Sequence, residues 1–459
     1  MSRKKIYLII GFMLFALFFG AANLIYPAYL GLYAGKHLAL AILGFCLTGV
    51  SLPLLGVIAV SKSGASDVEN MARPISKTYA LAYSALLYLS IGPFFAIPRT
   101  GATSYSVGIT PILGEQFWIK ALYAVLFFGL SYLLAIKPSK LADHIGKVLT
   151  PTLLVVITIL VIASFMHPAG GLGQAYNVEA TIADSFKDFP FMAGLIQGYG
   201  TMDALASLVF SILVIEASKQ FGAKTSKEVS HLTIVSGLIA IFLLALVYIF
   251  VGRIGATSQS LFPFANGHFL TNGSPINGGD LLSHASKFYL GSIGQICLAI
   301  VIFLACLTTA TGLISSSAEF FHKLLPKVSH ISWATFFTLV SAFFYFGGLN
   351  VIIKWSAPVL YLLYPLTIAL IFLVLSNQVF QNDPLVYRWT IGLTAIPATY
   401  DALATLSTMT GLFALPKGIV TFFTSIVPLG KFALGWLIFA ALGFVIGYIR
   451  HKQNLKLQS

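Results

Sequence analysis

Charge is what this chain lacks. Only 9% of its 459 residues are Asp, Glu, Lys or Arg, and acids are the scarcer sign, 14 against 27 basic residues. Soluble domains carry about 25% charged residues. A chain so poor in charge cannot coat a water-facing surface, which excludes an ordinary cytosolic enzyme, a disordered protein and a secreted domain. Cysteine is nearly missing as well. Cys46, Cys297 and Cys306 lie in apolar stretches with no CxxC spacing and no nearby His. That argues against a disulfide framework or a structural metal and leaves them as small buried hydrophobes. Catalytic constellations are absent too. The nine histidines fall in loops or near the ends of apolar stretches, and none stands at metal-ligand spacing from an intramembrane acid. No enzyme chemistry and no cofactor are expected. The net charge of +13 comes without interleaved aromatic and basic residues, so no nucleic-acid partner is expected either.

What is abundant is apolar length: 58% of the residues are hydrophobic. A helix crossing a bilayer needs about 20 apolar residues, and stretches that meet this run roughly over 6–35, 38–60, 78–98, 117–136, 148–166, 190–217, 231–252, 288–318, 331–347, 351–375, 386–410 and 428–449. The pattern predicts an all-α polytopic membrane protein with about twelve spans and the lipid bilayer as its partner. Arg3-Lys4-Lys5 before the first stretch resembles a signal peptide, but the run continues directly into further membrane segments, so it counts as span 1. With both termini inside, eighteen basic residues fall on the cytoplasmic side and nine outside, as the positive-inside rule requires of an even span count. The two longest polar connections, 167–189 and 253–287, then lie outside. The second is rich in turn formers and reads either as a lid over an outer vestibule or as a solvated loop.

Polar interruptions inside apolar spans are the best pointers to a transport site, because irregular backbone at membrane depth is tolerated only beside a cavity or under cover of protein. The first is Phe19-Gly20-Ala21-Ala22-Asn23, followed by Pro27. A break there exposes carbonyls at one half-helix and N–H groups at the other, which suit a cation and a carboxylate respectively. The second is Gly198-Tyr199-Gly200-Thr201-Met202-Asp203. Asp203 is an ionisable group apparently at membrane depth, and such groups are costly and by default functional. It serves either as a gating or ion-coupling group or as a cap of the following half-helix, and the two roles are compatible. These breaks fall in segments 1 and 6, the offset that a five-plus-five inverted repeat produces. A hydroxyl cluster in segment 8 (Thr308, Thr309, Thr311, Ser315, Ser316, Ser317) offers oxygen ligands for a hard cation or simple helix contacts. Segment 3 ends in Gly92-Pro93 and Pro98-Arg99. Arg99 at its outer end either snorkels or pairs with a carboxylate.

At these residues the sequence resembles a known family. Phe19 to Pro27 is similar to the family's FGAGNLIFP-type opening. Gly44 to Gly56, Tyr88 to Thr100 (YLSIGPFFAIPRT) and Gly198 to Leu205 also look like its motifs. The family is that of the bacterial branched-chain amino acid:cation symporters (branched-chain amino acid transport system II carriers, BrnQ type), and the resemblance covers essentially the whole chain. It implies uptake of leucine, isoleucine and valine coupled to sodium, with the proton as a further coupling ion, across the bacterial cytoplasmic membrane, and no obligatory protein partner. It implies the leucine transporter-like fold of the amino acid–polyamine–organocation superfamily, with helices 1 and 6 unwound. On this sequence that gives one transport domain, 1–459, with 6–166 and 190–375 as the two repeats and 376–459 as helices 11 and 12 with a short cytoplasmic tail. The substrate's charged groups would lie against Gly20, Ala21, Ala22 and Asn23 and against Gly198, Tyr199, Gly200 and Thr201. Sodium would lie between the carbonyls of Phe19 and Ala22 and the group Ala305, Thr308 and Thr309, or one register later at Gly312, Ser315 and Ser316. The family's usual Gly is Ala22 here. Tyr88, Phe94, Tyr105 and Tyr199 are candidates for walls or gates of the aliphatic pocket. Two competing readings remain at this stage: a carrier of another neutral amino acid working without sodium, and a passive channel.

Overall fold

Glycine, proline and capping residues decide where the helices stop. The computed structural model describes residues 3–20, 22–65, 67–136, 150–178, 184–271 and 273–458. Span 1 is α1 (Arg3–Phe18) and α2 (Ala22–Ala34), interrupted at Phe19-Gly20. Span 2 is α3 (Leu38–Cys46) and α4 (Leu52–Ser63), joined by a π-helical turn. After the short α5 (Val68–Ala72), span 3 comprises α6 (Lys77–Leu89), α7 (Ala96–Thr103) and α8 (Thr110–Leu113). Spans 4 and 5 are α9 (Phe117–Ala135) and α10 (Thr150–Met166). Span 6 is α11 (Pro190–Tyr199) and α12 (Asp203–Gln220), bent by 41° at the break. Spans 7 to 10 are α13 (Ser226–Thr257), α14 (Gly278–Leu324), α15 (His330–Tyr345) and α16 (Leu349–Leu375). Then come α17 (Pro384–Thr410), the short α18 (Lys417–Thr421) and α19 (Trp436–Gln458). These helices fall on the twelve apolar stretches of the sequence.

The ends have local causes. Thr225 with Glu228 and Asn277 with Asp280 form capping boxes that start α13 and α14. Pro190 and Pro384 open α11 and α17, where a missing N–H costs nothing. Glycines allow the closest helix contacts. A Cβ on Gly31 would sit 1.9 Å from the Gly252 carbonyl, and one on Gly255 2.1 Å from that of Ala28. Gly194 would meet the Ala41 carbonyl at 1.9 Å, and Gly44 that of Phe191 at 2.1 Å. Small residues thus clamp span 1 to span 7 and span 2 to span 6. The arrangement is pairwise symmetric: span 4 packs on span 8 as span 9 does on span 3, and span 5 packs on span 8 as span 10 does on span 3. Exchanging each span with the one five later turns each of these pairs into its counterpart, as a five-plus-five repeat does. Spans 10, 11 and 12 follow one another along one side.

Three sequence expectations change. Span 3 does not end at Pro98. It bends at Gly92, whose ψ is −118°, resumes at Ala96 and runs to Leu113 through a second π-helical turn at Ser104–Ile109. Spans 8 and 9 pack over the irregular backbone, which satisfies the rule that such backbone must be covered. Arg99 therefore leaves the outer loop group, which falls from nine basic residues to eight. The 253–287 connection is also less of a loop than its composition suggests. Helices occupy both ends, and β1 (Phe264–Ala265), β2 (His268–Thr271) and β3 (Ser274–Pro275) form a small antiparallel sheet between them. It is no solvated loop: Phe269 is buried against Tyr33 and Tyr176, and Gln259 donates from Nε2 to the carbonyls of Leu32 and Gln174. The 167–189 and 253–287 connections both contact the C-terminal end of α2. Finally, α14 is 47 residues long and kinks at Gly291, where φ is +60°, a value only glycine adopts freely. Cys306 is buried and Cys46 and Cys297 are half-buried, all three as free thiols.

Candidate functional site

The two breaks face each other across one small cavity of about 20 Å³. Gly20, Ala22 and Asn23 line it from span 1, Thr201, Met202, Asp203, Ala206 and Phe210 from span 6, Arg99 and Thr100 from span 3, and Thr309 and Leu313 from span 8. Leu17, Phe18 and Ala96 complete the apolar part. The Phe18 and Phe210 rings meet edge to face at 5.9 Å. A volume of roughly 10–15 Å³ holds one water, so the site is closed down around a space far smaller than an aliphatic amino acid.

A hydrogen-bonded chain joins the breaks. The Gly20 N–H, released from helical pairing by the break, is shared between the Phe18 carbonyl at 2.8 Å and Asn23 Oδ1 at 2.9 Å. That contact fixes the amide's orientation, so Asn23 Nδ2 points the other way and donates to Asp203 Oδ2 at 2.5 Å and to the Tyr248 hydroxyl. Tyr248 on span 7 in turn donates to Asp203 Oδ2 at 3.2 Å. Asp203 is the first residue of α12, and the N-cap position is taken by Met202, at φ +65° and without a side-chain cap bond. The carboxylate is therefore directed across the site and not back onto its own helix, although it still sits at the positive end of α12. Met202 is in the left-handed region, which a non-glycine residue occupies at a cost of order 1 kcal/mol or more.

Carbonyls freed by the breaks find two different partners. In span 1, Thr308 Oγ1 donates to the Ala16 carbonyl at 3.0 Å and to that of Ala305 at 2.9 Å, while Thr309 Oγ1 donates to the Leu17 carbonyl at 3.1 Å. In span 6, Arg99 donates from Nη1 to the Gly200 carbonyl at 2.7 Å and from Nη2 to that of Thr201 at 3.2 Å. Arg99 is 4% exposed and Asp203 3%, so neither snorkels. Among the described residues no ion pair joins them.

The sequence-derived residues separate into groups. Gly20, Ala22, Asn23, Thr201, Asp203 and Thr309 line the cavity. Gly200 is reached through its carbonyl, and Thr308 and Ala305 through the contacts with span 1. Gly198 lies against Thr48 and Tyr199 stacks on Tyr364 at 4.3 Å, both behind the cavity. Ala21 lies outside the described residues. Phe19 is buried and stacks on Phe15 at 5.1 Å. Ala22 opens α2, and first-turn residues present N–H groups while their carbonyls point into the helix. Its place is thus on the donor side of the break. In segment 8, Thr308 and Thr309 reach span 1, whereas the Ser316 hydroxyl is buried with no partner among the described residues. Tyr88 stacks on Phe320, and Tyr105 packs with Tyr123 and Tyr345, away from the cavity; Phe94 is 37% exposed. Phe18, Phe210 and Met202 take the lining role instead. Tyr248 was the substantive omission, and Arg99, read from the sequence as a snorkelling residue or a partner of a carboxylate at the end of segment 3, joins the site. A lone hydroxyl in an apolar span was the available signal for Tyr248.

Comparison with known proteins places these features in context. The family described as branched-chain amino acid transport protein matches residues 3–454. The branched-chain amino acid permease BraB of Bacillus subtilis (strain 168) is 38% identical over 444 residues, covering 96% of this chain and 94% of the relative. The permease BrnQ of the same organism is 38% identical over 454 residues, covering 98% of each. Among solved structures, Mhp1, a nucleobase-cation-symport-1 family transporter in a closed conformation with bromovinylhydantoin bound, superposes with a TM-score of 0.62 at 14% identity. The match covers 97% of this chain and 92% of that one. At that identity the likeness is one of fold, and the fold is the leucine transporter-like five-plus-five architecture with broken helices 1 and 6.

Proposed function

We propose that this chain, which belongs to the branched-chain amino acid transport protein family, is a cation-coupled symporter that imports leucine, isoleucine and valine by alternating access. Its family and relatives make it a multi-pass membrane transporter and not an enzyme. The coupling ion in this reading is sodium, with the proton as the competing assignment. The membrane is the bacterial cytoplasmic membrane, with both termini inside. Residues 6–166 and 190–375 form the two repeats that rock against each other.

The observation that carries the coupling is the meeting of Thr308 and Thr309 with the free carbonyls of span 1. A hard cation takes oxygen ligands. Hydroxyl rotors can turn their protons away and present lone pairs. The Ala16, Leu17 and Ala305 carbonyls and the two threonine hydroxyls are the oxygens this reading offers to the ion, with Phe19 at the edge of the break. The amino acid would take the other side: Gly20, Ala22 and Asn23 from span 1 and Thr201 from span 6, with its aliphatic chain against Phe18, Met202 and Phe210. A hydrophobic pocket discriminates one methylene by only about 1–3 kcal/mol, which fits three branched substrates sharing one site. The small cavity supports alternating access, since loading requires the breaks to part.

The test is uptake of labelled leucine into proteoliposomes under an imposed sodium gradient, a proton gradient, or neither. Accumulation above equilibrium driven by sodium is expected, with unlabelled isoleucine and valine competing. Equal uptake in all three conditions would overturn the coupling and favour a passive path. Stimulation by protons alone would reassign the ion.

A further inference from the structure

We infer that Arg99 and Asp203 read the two charges of the substrate, Arg99 taking the carboxylate and Asp203 the ammonium. The inference rests on the amino acid reading above and adds side-chain recognition to backbone recognition. Both residues are lone charges inside the membrane, buried to within 4% and 3% exposure, and both line the one cavity. They come from different spans and, among the described residues, form no ion pair with each other. A buried charge lacking an opposite partner in contact is expensive. Two such charges of opposite sign on one cavity are complementary to a zwitterion placed between them.

Each has spare capacity. Arg99 places one N–H on the Gly200 carbonyl and one on that of Thr201. The guanidinium has five N–H donors in a rigid fork and does not lose its charge. The Tyr26 side chain is a further hydrogen-bond partner of the guanidinium; that contact and those to the backbone of the span 6 break hold it in one orientation, and the donors still unused remain for a carboxylate, which it can engage in paired geometry. Asp203 accepts from Asn23 and Tyr248 on the same oxygen, Oδ2. The Thr201 side chain is a further hydrogen-bond partner of the carboxylate, and the remaining acceptor capacity of Oδ1 is what an ammonium would use. The orientation of Asn23 is imposed by the Gly20 N–H, so the amide meets Asp203 with its donor end and keeps the carboxylate an acceptor. The fixed charges sum to zero, and so does the zwitterion. A coupling cation at Thr309, which lines the same cavity, is then the one uncompensated charge of the loaded site.

The experiment is competition against labelled leucine on purified, detergent-solubilised protein, with leucinol (ammonium, no carboxylate) and 4-methylpentanoate (carboxylate, no ammonium). Losing one charge-assisted contact should weaken binding by about 10- to 100-fold, so wild-type protein should prefer leucine over each analogue by at least that factor. R99Q should collapse the leucine-over-leucinol ratio to within about fivefold and leave the leucine-over-4-methylpentanoate ratio largely intact. D203N should do the reverse. R99K keeps the cation but loses the fork and should show an intermediate leucinol ratio; it carries the test if R99Q does not elute as a folded species. Uniform weakening of all three ligands in R99Q and R99K would overturn the assignment and leave Arg99 as a clamp on the break. Wild-type protein that binds both analogues as well as leucine would overturn it outright. Wild-type protein that fails to bind leucine at all would instead sink the amino acid reading itself.

Discussion

Spans 1 and 6 are broken in the same way and finished in opposite ways. Each loses its helical hydrogen bonds over a few residues at membrane depth, and each leaves carbonyls that nothing in a bilayer would satisfy. In span 1 the Ala16 and Leu17 carbonyls are met by Thr308 and Thr309, neutral groups that can rotate and yield to an ion. In span 6 the Gly200 and Thr201 carbonyls are met by Arg99, a permanent cation that cannot leave. In the proposed reading a mobile cation therefore binds beside span 1 and not beside the carbonyls of span 6, where the charge is built in. Helix breaking alone does not make an ion site; the group that terminates the break decides what binds there.

The comparison can be broken in four places. The largest effect should come from Arg99→Leu, which strips both span 6 carbonyls of their partner and leaves Asp203 the only charge in the cavity. A loss of about 3–5 kcal/mol is expected, read as a sharp fall in monodisperse protein and thermal stability. Wild-type stability would mean the span 6 carbonyls do not need the cation. Asp203→Asn should come next, cutting uptake by about 100-fold at unchanged membrane insertion. Near-normal uptake would reduce Asp203 to a partner of Asn23 and Tyr248.

Thr309→Ala should raise the sodium concentration for half-maximal uptake by about tenfold, with the leucine dependence at saturating sodium little changed. Thr309→Ser should behave like wild type. An unaltered sodium dependence in Thr309→Ala would remove the span 1 site from the mechanism. The smallest effect belongs to Met202→Gly, which relieves the left-handed backbone at the span 6 break. Gain and loss nearly cancel, because glycine also costs chain entropy. A stability change within about 1 kcal/mol and an unchanged sodium dependence are expected, and a marked shift in that dependence would show that the two breaks are not terminated independently.

Much of this was legible in the chain itself, for reasons that are local. A helix break is written in adjacent residues, so Gly20 to Asn23 and Gly198 to Asp203 could be found without any partner. Span 3 misled because Pro93 and Pro98 are local stop signals that the tertiary structure overrides. The helix resumes at Ala96, with Pro98 in its first turn, because spans 8 and 9 cover the exposed backbone, and the cation at its supposed outer end then becomes the cation at the site. Composition misjudged the 253–287 connection in a similar way. Turn formers describe hairpin corners as well as free loops, and only the seating of Phe269 against Tyr33 distinguishes the two.

By itself the sequence determined the solvent, the number of crossings and the points where helices break, since each depends on composition or on neighbours along the chain. Tertiary structure alone decided that Arg99 meets the carbonyls of the span 6 break, that Thr308 and Thr309 face Ala16 and Leu17 in preference to the later serines, and that Tyr248 joins Asn23 and Asp203. Those pairings set residues far apart in the chain within hydrogen-bond distance. They follow from helix rotation and the close glycine contacts of spans 1 with 7 and 2 with 6, which no single segment encodes.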